Sequence, residues 1–199
     1  MKLSQRILMI ILPITLFLTV IAAHGYDRSV IQRYLEQSNY EEAIKWYREA
    51  IRINPNDSSV YSGLGWVYVE MGKYQEAEKW LKEALRVNPN ESSFYTDISD
   101  IYKKMGKYQE AEKWLKEALR VNPNESDVYA HIGNLYRKMG KYEEALKWCR
   151  EAVRIGPGNS SGYDELGRVY ADMGKYAEAI GCLKKAIRIN PGEDRKSVV

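Results

Sequence analysis

The sequence predicts an all-α array of stacked antiparallel helix pairs, about five in number and preceded by one hydrophobic helix. Three observations predict it. Pro55, Pro89, Pro123, Pro157 and Pro191 stand 34 residues apart every time. Residues 71–92, MGKYQEAEKWLKEALRVNPNES, recur letter for letter at 105–126, with looser copies at 37–58, at 139–160 and from 173 onward. Within each copy the apolar residues return at helical rather than strand spacing. A fixed period of this length marks an architecture in which each unit is one supersecondary element and neighbours bury each other's apolar faces.

In chain order, the first element is residues 1–25. Residues 7–23, ILMIILPITLFLTVIAA, carry no charge and follow Lys2 and Arg6. A basic start followed by an apolar run is how an export signal begins, and the run is also long enough to be a membrane anchor. Ala23 and Gly25 offer a small-residue cleavage site before Tyr26. Cleaved signal peptide and uncleaved transmembrane anchor both remain open. With the positive charge held on the cytoplasmic side, both place the rest of the chain outside the cytoplasm, secreted or membrane-anchored.

Each repeat then reads as two helices. In the first, Tyr61, Leu64, Gly65 and Tyr68 fall at i, i+3, i+4 and i+7. The stripe returns as Tyr95, Ile98, Ser99, Tyr102, as Tyr129, Ile132, Gly133, Tyr136, and as Tyr163, Leu166, Gly167, Tyr170. Ser or Asp after each turn is expected to cap this helix. Gly72, Gly106, Gly140 and Gly174 end it, where the chain must enter the left-handed region. The second helix carries Ala77, Leu81, Ala84 and Leu85, repeated as Ala111, Leu115, Ala118 and Leu119. The Asn-Pro turn stops it, since Pro cannot continue a helix and pushes its predecessor to extended geometry.

The pattern Tyr61, Leu64-Gly65, Tyr68, Gly72, Tyr74, Ala77, Leu81, Ala84, Pro89 resembles the tetratricopeptide repeat position for position. The resemblance covers residues 26–193, with repeats at about 26–57, 58–91, 92–125, 126–159 and 160–193, followed by a polar tail at 194–199. It implies a right-handed superhelical α-solenoid with a concave groove lined by the first helix of each pair. It also implies a non-catalytic scaffold that binds a protein or peptide partner in that groove. Carried over by position, the partner-binding residues are Trp66, Val69 and Glu70, then Asp100, Lys103 and Lys104, then Asn134, Arg137 and Lys138, and Arg168. Lys103, Lys104, Arg137, Lys138 and Arg168 recur near the repeat spacing and are expected to form a basic strip suited to an acidic or carboxylate-bearing peptide. The carboxylate clamp of some family members is absent, because Ala130 stands where that clamp needs Lys four residues before Asn134.

Trp46, Trp80, Trp114 and Trp148 share one position in the second helix and read as inter-repeat packing. N-x-S sequons at Asn56, Asn90, Asn124 and Asn159 are acceptors for glycosylation if the chain is exported, or turn-and-cap grammar if it is not. Beyond Pro191 the sequence reads GEDRKSVV, so Leu183 and Ile187 are expected to be partly uncovered and to support weak self-association or a docked partner.

Composition narrows the function further. Charged residues are 29% of the chain and leave a net charge of +3, too near neutral for bulk attraction to nucleic acid. Cys149 and Cys182 make no disulfide framework or zinc spacing. His24 and His131 have no partner in a triad-like relation, and H-E-x-x-H, the P-loop and G-x-S-x-G do not occur. No cofactor or metal is expected. Besides the scaffold, a structural spacer or self-associating surface protein is the other reading, favoured by the near-identity of 71–92 and 105–126.

Overall fold

The computed structural model describes residues 39–191. The signal or anchor segment, the leading helix of the first repeat and the polar tail lie outside the described residues. Among the described residues are nine α-helices: α1 Tyr40–Ile53, α2 Ser58–Glu70, α3 Tyr74–Val87, α4 Ser92–Lys104, α5 Tyr108–Val121, α6 Ser126–Lys138, α7 Tyr142–Ile155, α8 Ser160–Asp172 and α9 Tyr176–Ile189. Four antiparallel hairpins, α2–α3, α4–α5, α6–α7 and α8–α9, stack in sequence order, and α1 is the second helix of the pair before them. Each first helix also packs on the preceding pair, as α8 does on both α6 and α7.

The turns inside each pair depend on glycine. Gly72, Gly106, Gly140 and Gly174 have φ between 70° and 74°, where a side chain costs about 1–2 kcal/mol. The Lys73 amide donates to the Tyr68 carbonyl at 2.8 Å, and the same bond recurs from Lys107, Lys141 and Lys175. This is the closure that a left-handed residue permits. The second helices end at the Asn-Pro turns with Asn54, Asn88 and Asn122 extended (ψ 87° to 91°), the geometry that a following proline imposes.

Capping meets the expectation at α2, where Asp57 is the cap, and differs from it at the other first helices. Ser58, Ser92, Ser126 and Ser160 are already the first helical residues, and the caps lie one position earlier. Asp57 and Asn159 accept from the Ser59 and Ser161 amides at 3.0 and 2.9 Å. Glu91 and Glu125 hold the same place without a side-chain cap bond. Their longer side chains turn instead to the Ser93 hydroxyl and the Asn122 amide, each at 2.9 Å.

The core is built from the expected stripes. Leu64, Leu81, Ile98, Leu115 and Leu135 are fully buried, together with Ala77, Ala84, Ala111 and Ala118. Small residues bring the two helices of a pair together. A Cβ on Gly65 would lie 3.0 Å from Leu81 Cγ, and one on Gly167 would lie 2.8 Å from Leu183 Cγ. One on Gly133 would collide with Cys149 Sγ. The third repeat places Ser99 here, fully buried and with no partner for its hydroxyl among the described residues.

Tyrosines tie one element to the next. Tyr61, Tyr95 and Tyr129 donate to the carbonyls of Pro55, Pro89 and Pro123 at 2.9 to 3.0 Å, fixing each inter-repeat turn to the helix that follows. Their rings lie 6.3, 6.1 and 5.9 Å from Trp80, Trp114 and Trp148. Trp46 is 5% exposed. The tryptophan position is therefore packing both within and between pairs. Across the pair boundary, Tyr102 and Tyr136 donate to Glu78 and Glu112, which also hold Lys82 and Lys116 at 2.6 and 2.8 Å. At the next boundary Leu146 replaces the glutamate, and the Tyr170 hydroxyl accepts from Arg150 at 3.2 Å instead.

Two substitutions should move stability in opposite directions. Ser99→Ala removes a buried unsatisfied hydroxyl while keeping its Cβ, and should raise unfolding free energy by about 1 kcal/mol. Gly106→Ala forces an L-residue into the left-handed region and should lower it by about 1 kcal/mol. Urea melts of the full chain check both signs.

Candidate functional site

A groove of about 540 Å³ runs along α4, α6 and α8 and ends against α9. First helices line it because the second helices are held behind them by the small-residue contacts. Side chains on adjacent first helices meet across it at sequence offsets of 28, 31 and 35 residues, two turns or one turn short of the repeat or one residue beyond it.

These meetings form a polar ladder. Ser62 reaches Asp97 at 3.5 Å. Asp100 pairs with Lys103 at 2.6 Å and meets His131 Nδ1 at 3.3 Å. Lys103 also donates to Asn134 Oδ1 at 3.2 Å, and the Asn134 amide donates onward to Glu165 at 2.9 Å. Arg137 bridges Glu165 at 3.3 Å and Asp172 at 2.9 Å. Arg168 closes on Asp164 at 2.7 Å.

Three cations of the expected basic strip are paired in this arrangement, while Lys104 and Lys138 stay exposed. The Lys103 side chain is only 7% exposed and that of Arg137 16%, and both lie among carboxylates. Arg168 is neutralised on its own helix. The cation positions are legible from the repeat spacing; the acids beside Lys103 and Arg168 come from their own helices and those beside Arg137 from the next first helix. The 31-residue offset from Asp100 to His131, from Lys103 to Asn134 and from Asn134 to Glu165 is the signal that would have found them. Val69 is 5% exposed and belongs to the core with Ile98 and Ile101, so it offers the groove almost nothing. Trp66 is half-buried and Glu70 is exposed, with Lys104 and Lys138 less covered than Lys103. Among the named residues, Asp100, Lys103, Asn134 and Arg168 line the groove directly. Sequence reading passed over Asp97, His131, Asp164 and Glu165 as groove-side groups.

The two aspartates of α4 are driven apart. Burial and the neighbouring Asp100 charge push the Asp97 carboxyl up to about 6, against hydrogen bonds from Trp66 and Ser62. Burial also acts on Asp100, but its hydrogen bond to His131 and the Lys103 ammonium outweigh it and hold the group at about 2. Burial raises the Cys149 thiol to about 12, which makes it an inert core residue. Among the described residues, no group of three or more His, Cys, Asp or Glu could hold a metal ion. No described helix is long and apolar enough to cross a membrane.

Of the sequons, Asn56, Asn90 and Asn124 are exposed in the turns. The Asn159 side chain is engaged as a cap and donates to the Ser126 hydroxyl at 2.9 Å.

The fold recurs in solved structures. A thermophilic TPR protein of Thermus thermophilus is 21% identical, with 84% of this chain and 91% of that one covered and a TM-score of 0.68. BtubC from P. vanneervenii is also 21% identical, covering 82% and 78% with a TM-score of 0.65. YrrB, described as a TPR protein with an unusual peptide-binding site, is 23% identical over 89% and 94%, with a TM-score of 0.51. No curated protein matches the sequence. Residues 30–199 match the family described as the cilia and flagella-associated protein 70 C-terminal domain, and the chain belongs to that family.

The sign of the Asp97 effect can be worked out. Its folded value lies above that of an ordinary aspartate, so its favourable contribution is complete below about pH 4 and is lost as pH rises through about 6. Asp100 runs the other way: its contribution is present above about pH 4 and disappears only as pH falls toward 2. Asp97→Asn should therefore gain stability relative to the unaltered chain between pH 4 and pH 8. At about 1.4 kcal/mol per tenfold change in proton affinity, the gain is roughly 2–3 kcal/mol. Urea midpoints of both chains across that range measure it, and a difference independent of pH would contradict the assignment.

Proposed function

We propose that this member of the family is a non-catalytic protein–protein interaction scaffold that holds an extended partner segment in the groove along its first helices. The observation that carries the reading is the ladder from Asp97 to Asp172. Its donors and acceptors are already fixed by their neighbours, so a partner meets an ordered surface and little side-chain freedom is lost on binding. Because the ladder's cations are largely balanced by its own carboxylates, the groove selects by hydrogen-bond register and shape. Trp66 supplies a large half-buried ring at one end, and Asn134 sits mid-groove between Lys103 and Glu165. That YrrB is described as having a peptide-binding site supports the reading by analogy of fold.

The hydrophobic run at residues 7–23 supports a place at the cell envelope, with the repeats outside the cytoplasm and the chain either anchored or released by cleavage. In that compartment the exposed Asn56, Asn90 and Asn124 would be open to glycosylation. A structural spacer is the second reading. It is favoured by the identity of 71–92 with 105–126, which lengthens a rod without building a distinct site.

A photo-crosslinking residue at Asn134, compared with one at Lys113 on the second helix α5, separates the two in native cells. The scaffold reading expects one stoichiometric foreign partner from position 134 and little from 113. Crosslinks chiefly to further copies of the chain, or equal capture at both positions, would favour the spacer.

A further inference from the structure

The last described helix breaks a rule that the other second helices keep. In α1, α3, α5 and α7 the arginine near the end pairs with a glutamate three residues earlier: Arg52 with Glu49, Arg86 with Glu83, Arg120 with Glu117 and Arg154 with Glu151, at 2.6 to 2.8 Å. In α9 the arginine is Arg188, but Lys185 stands where the glutamate would be. One turn earlier, Glu78 and Glu112 hold Lys82 and Lys116. The corresponding lysine in α9 is Lys184, and the residue in the glutamate's place is Ile180, as it is Ile44 in α1 and Leu146 in α7. Each of α1, α3, α5 and α7 has three acids and three bases. In α9, Lys184, Lys185 and Arg188 stand against Glu178 alone and leave two positive charges.

These changes sit beside an uncovered apolar stripe. Tyr176, Ile180, Leu183 and Ile187 follow one another at spacings of four, three and four residues, and Tyr176, Ile180 and Ile187 are 68, 53 and 41% exposed. The equivalent stripe of α7 is buried: Leu146 is 4% exposed and Cys149 fully buried, in one cluster with Leu166 and Val169 of α8. That face of the repeat is thus shaped to receive a helix. Along its open flank runs a cavity of about 480 Å³ lined by Gly181, Lys184, Lys185 and Arg188, with Ile189. Gly181 replaces the lysine of the other copies, and an added Cβ there would meet only open space. Ile44 and Leu146, which share the place of Ile180 in α1 and α7, are packed against the pair that follows, and cations without acids of their own ask for acids from elsewhere.

We infer that the outer face of α9 docks an amphipathic helix of a protein partner, with apolar residues on the Ile180–Leu183–Ile187 stripe and carboxylates over Lys184, Lys185 and Arg188. The site adjoins the groove, since Leu183 and Ile187 also line its α9 end, while the cations Lys184, Lys185 and Arg188 lie outside it. A helix is favoured over a membrane surface because the same face in α7 takes a helix, and a second α9 would bring like charges together. The Lys185 ammonium now lies 4.5 Å from the centre of the Tyr163 ring.

The test uses a stapled, fluorescein-labelled peptide with the sequence of residues 158–174. This contains the helix that covers the α7 stripe, and its Asp164, Glu165 and Asp172 outnumber Arg168. Fluorescence anisotropy against the full chain in nonionic detergent should give saturable one-to-one binding. Ile180→Glu and Lys185→Glu, the second restoring the ion pair of the other copies, should each weaken it at least about tenfold. No saturable binding, or affinity unchanged in both variants, would overturn the inference. So would a dimer in sedimentation that Ile180→Glu dissolves, which would give the face to a second copy. Binding to phosphatidylserine vesicles that Lys185→Glu abolishes, without peptide binding, would give it to a membrane. Peptide binding that appears only after residues 192–199 are removed would give it to the chain's own tail.

Discussion

Everything in this structure depends on how closely the two helices of a pair approach. A side chain on Gly133 or Gly167 would press into Cys149 or Leu183, one on Gly65 would stand only 3.0 Å from Leu81, and the third repeat admits nothing larger than Ser99 here. With that approach in place, the apolar face of each pair is flat enough for the next pair to cover, and burial accumulates along the chain. Fully burying one leucine or isoleucine contributes about 1.5–3 kcal/mol, so Leu64, Leu81, Ile98, Leu115 and Leu135 outweigh the exposed ion pairs on the surface. Exposed pairs such as Lys45 with Glu42 are worth little by comparison.

The same approach makes the groove. With the second helices held behind, the first helices lie side by side, and a residue on one reaches the residue 28, 31 or 35 positions on. Asp100 to His131, Lys103 to Asn134 and Arg137 to Asp172 are the results. The polar ladder is therefore a product of stacking register rather than of local sequence, and partner recognition inherits its order from the core. Asp97 and Asp100 show how finely this sorts similar groups. Three residues apart on one helix, they are pushed in opposite directions because Asp100 has the Lys103 ammonium and the His131 hydrogen bond beside it.

Much of this was legible in the sequence because the determinants are local and repeated. Gly72 and its equivalents marked the turn, Pro55 and its equivalents the break, and Tyr61, Leu64, Gly65 and Tyr68 the buried face. Where the reading failed, the cause was non-local. Val69 looked available because it lies near Trp66 on α2, yet α4 covers it with Ile98 and Ile101. Lys103, Arg137 and Arg168 looked like a strip because they share a phase, while the acids that neutralise Lys103 and Arg168 come from their own helix and those that neutralise Arg137 from the next. The caps at Glu91 and Glu125 were misplaced by one residue because Ser92 and Ser126 are good caps in isolation, and only the backbone shows them already helical. The register of α9 against its sister helices was also readable, since Lys185 in place of glutamate is visible at a spacing of 34 residues.

The central claim is that pair closure supports a nearest-neighbour stack, and Gly133→Leu attacks it at one point. Hydrogen-exchange mass spectrometry of the full chain, with and without that substitution, reads the consequence helix by helix. The account predicts lost protection in α6 and α7 that extends into α5 and α8, which pack on them, while α1 and α2 keep theirs. Protection lost evenly from α1 to α9, or unchanged everywhere, would contradict it.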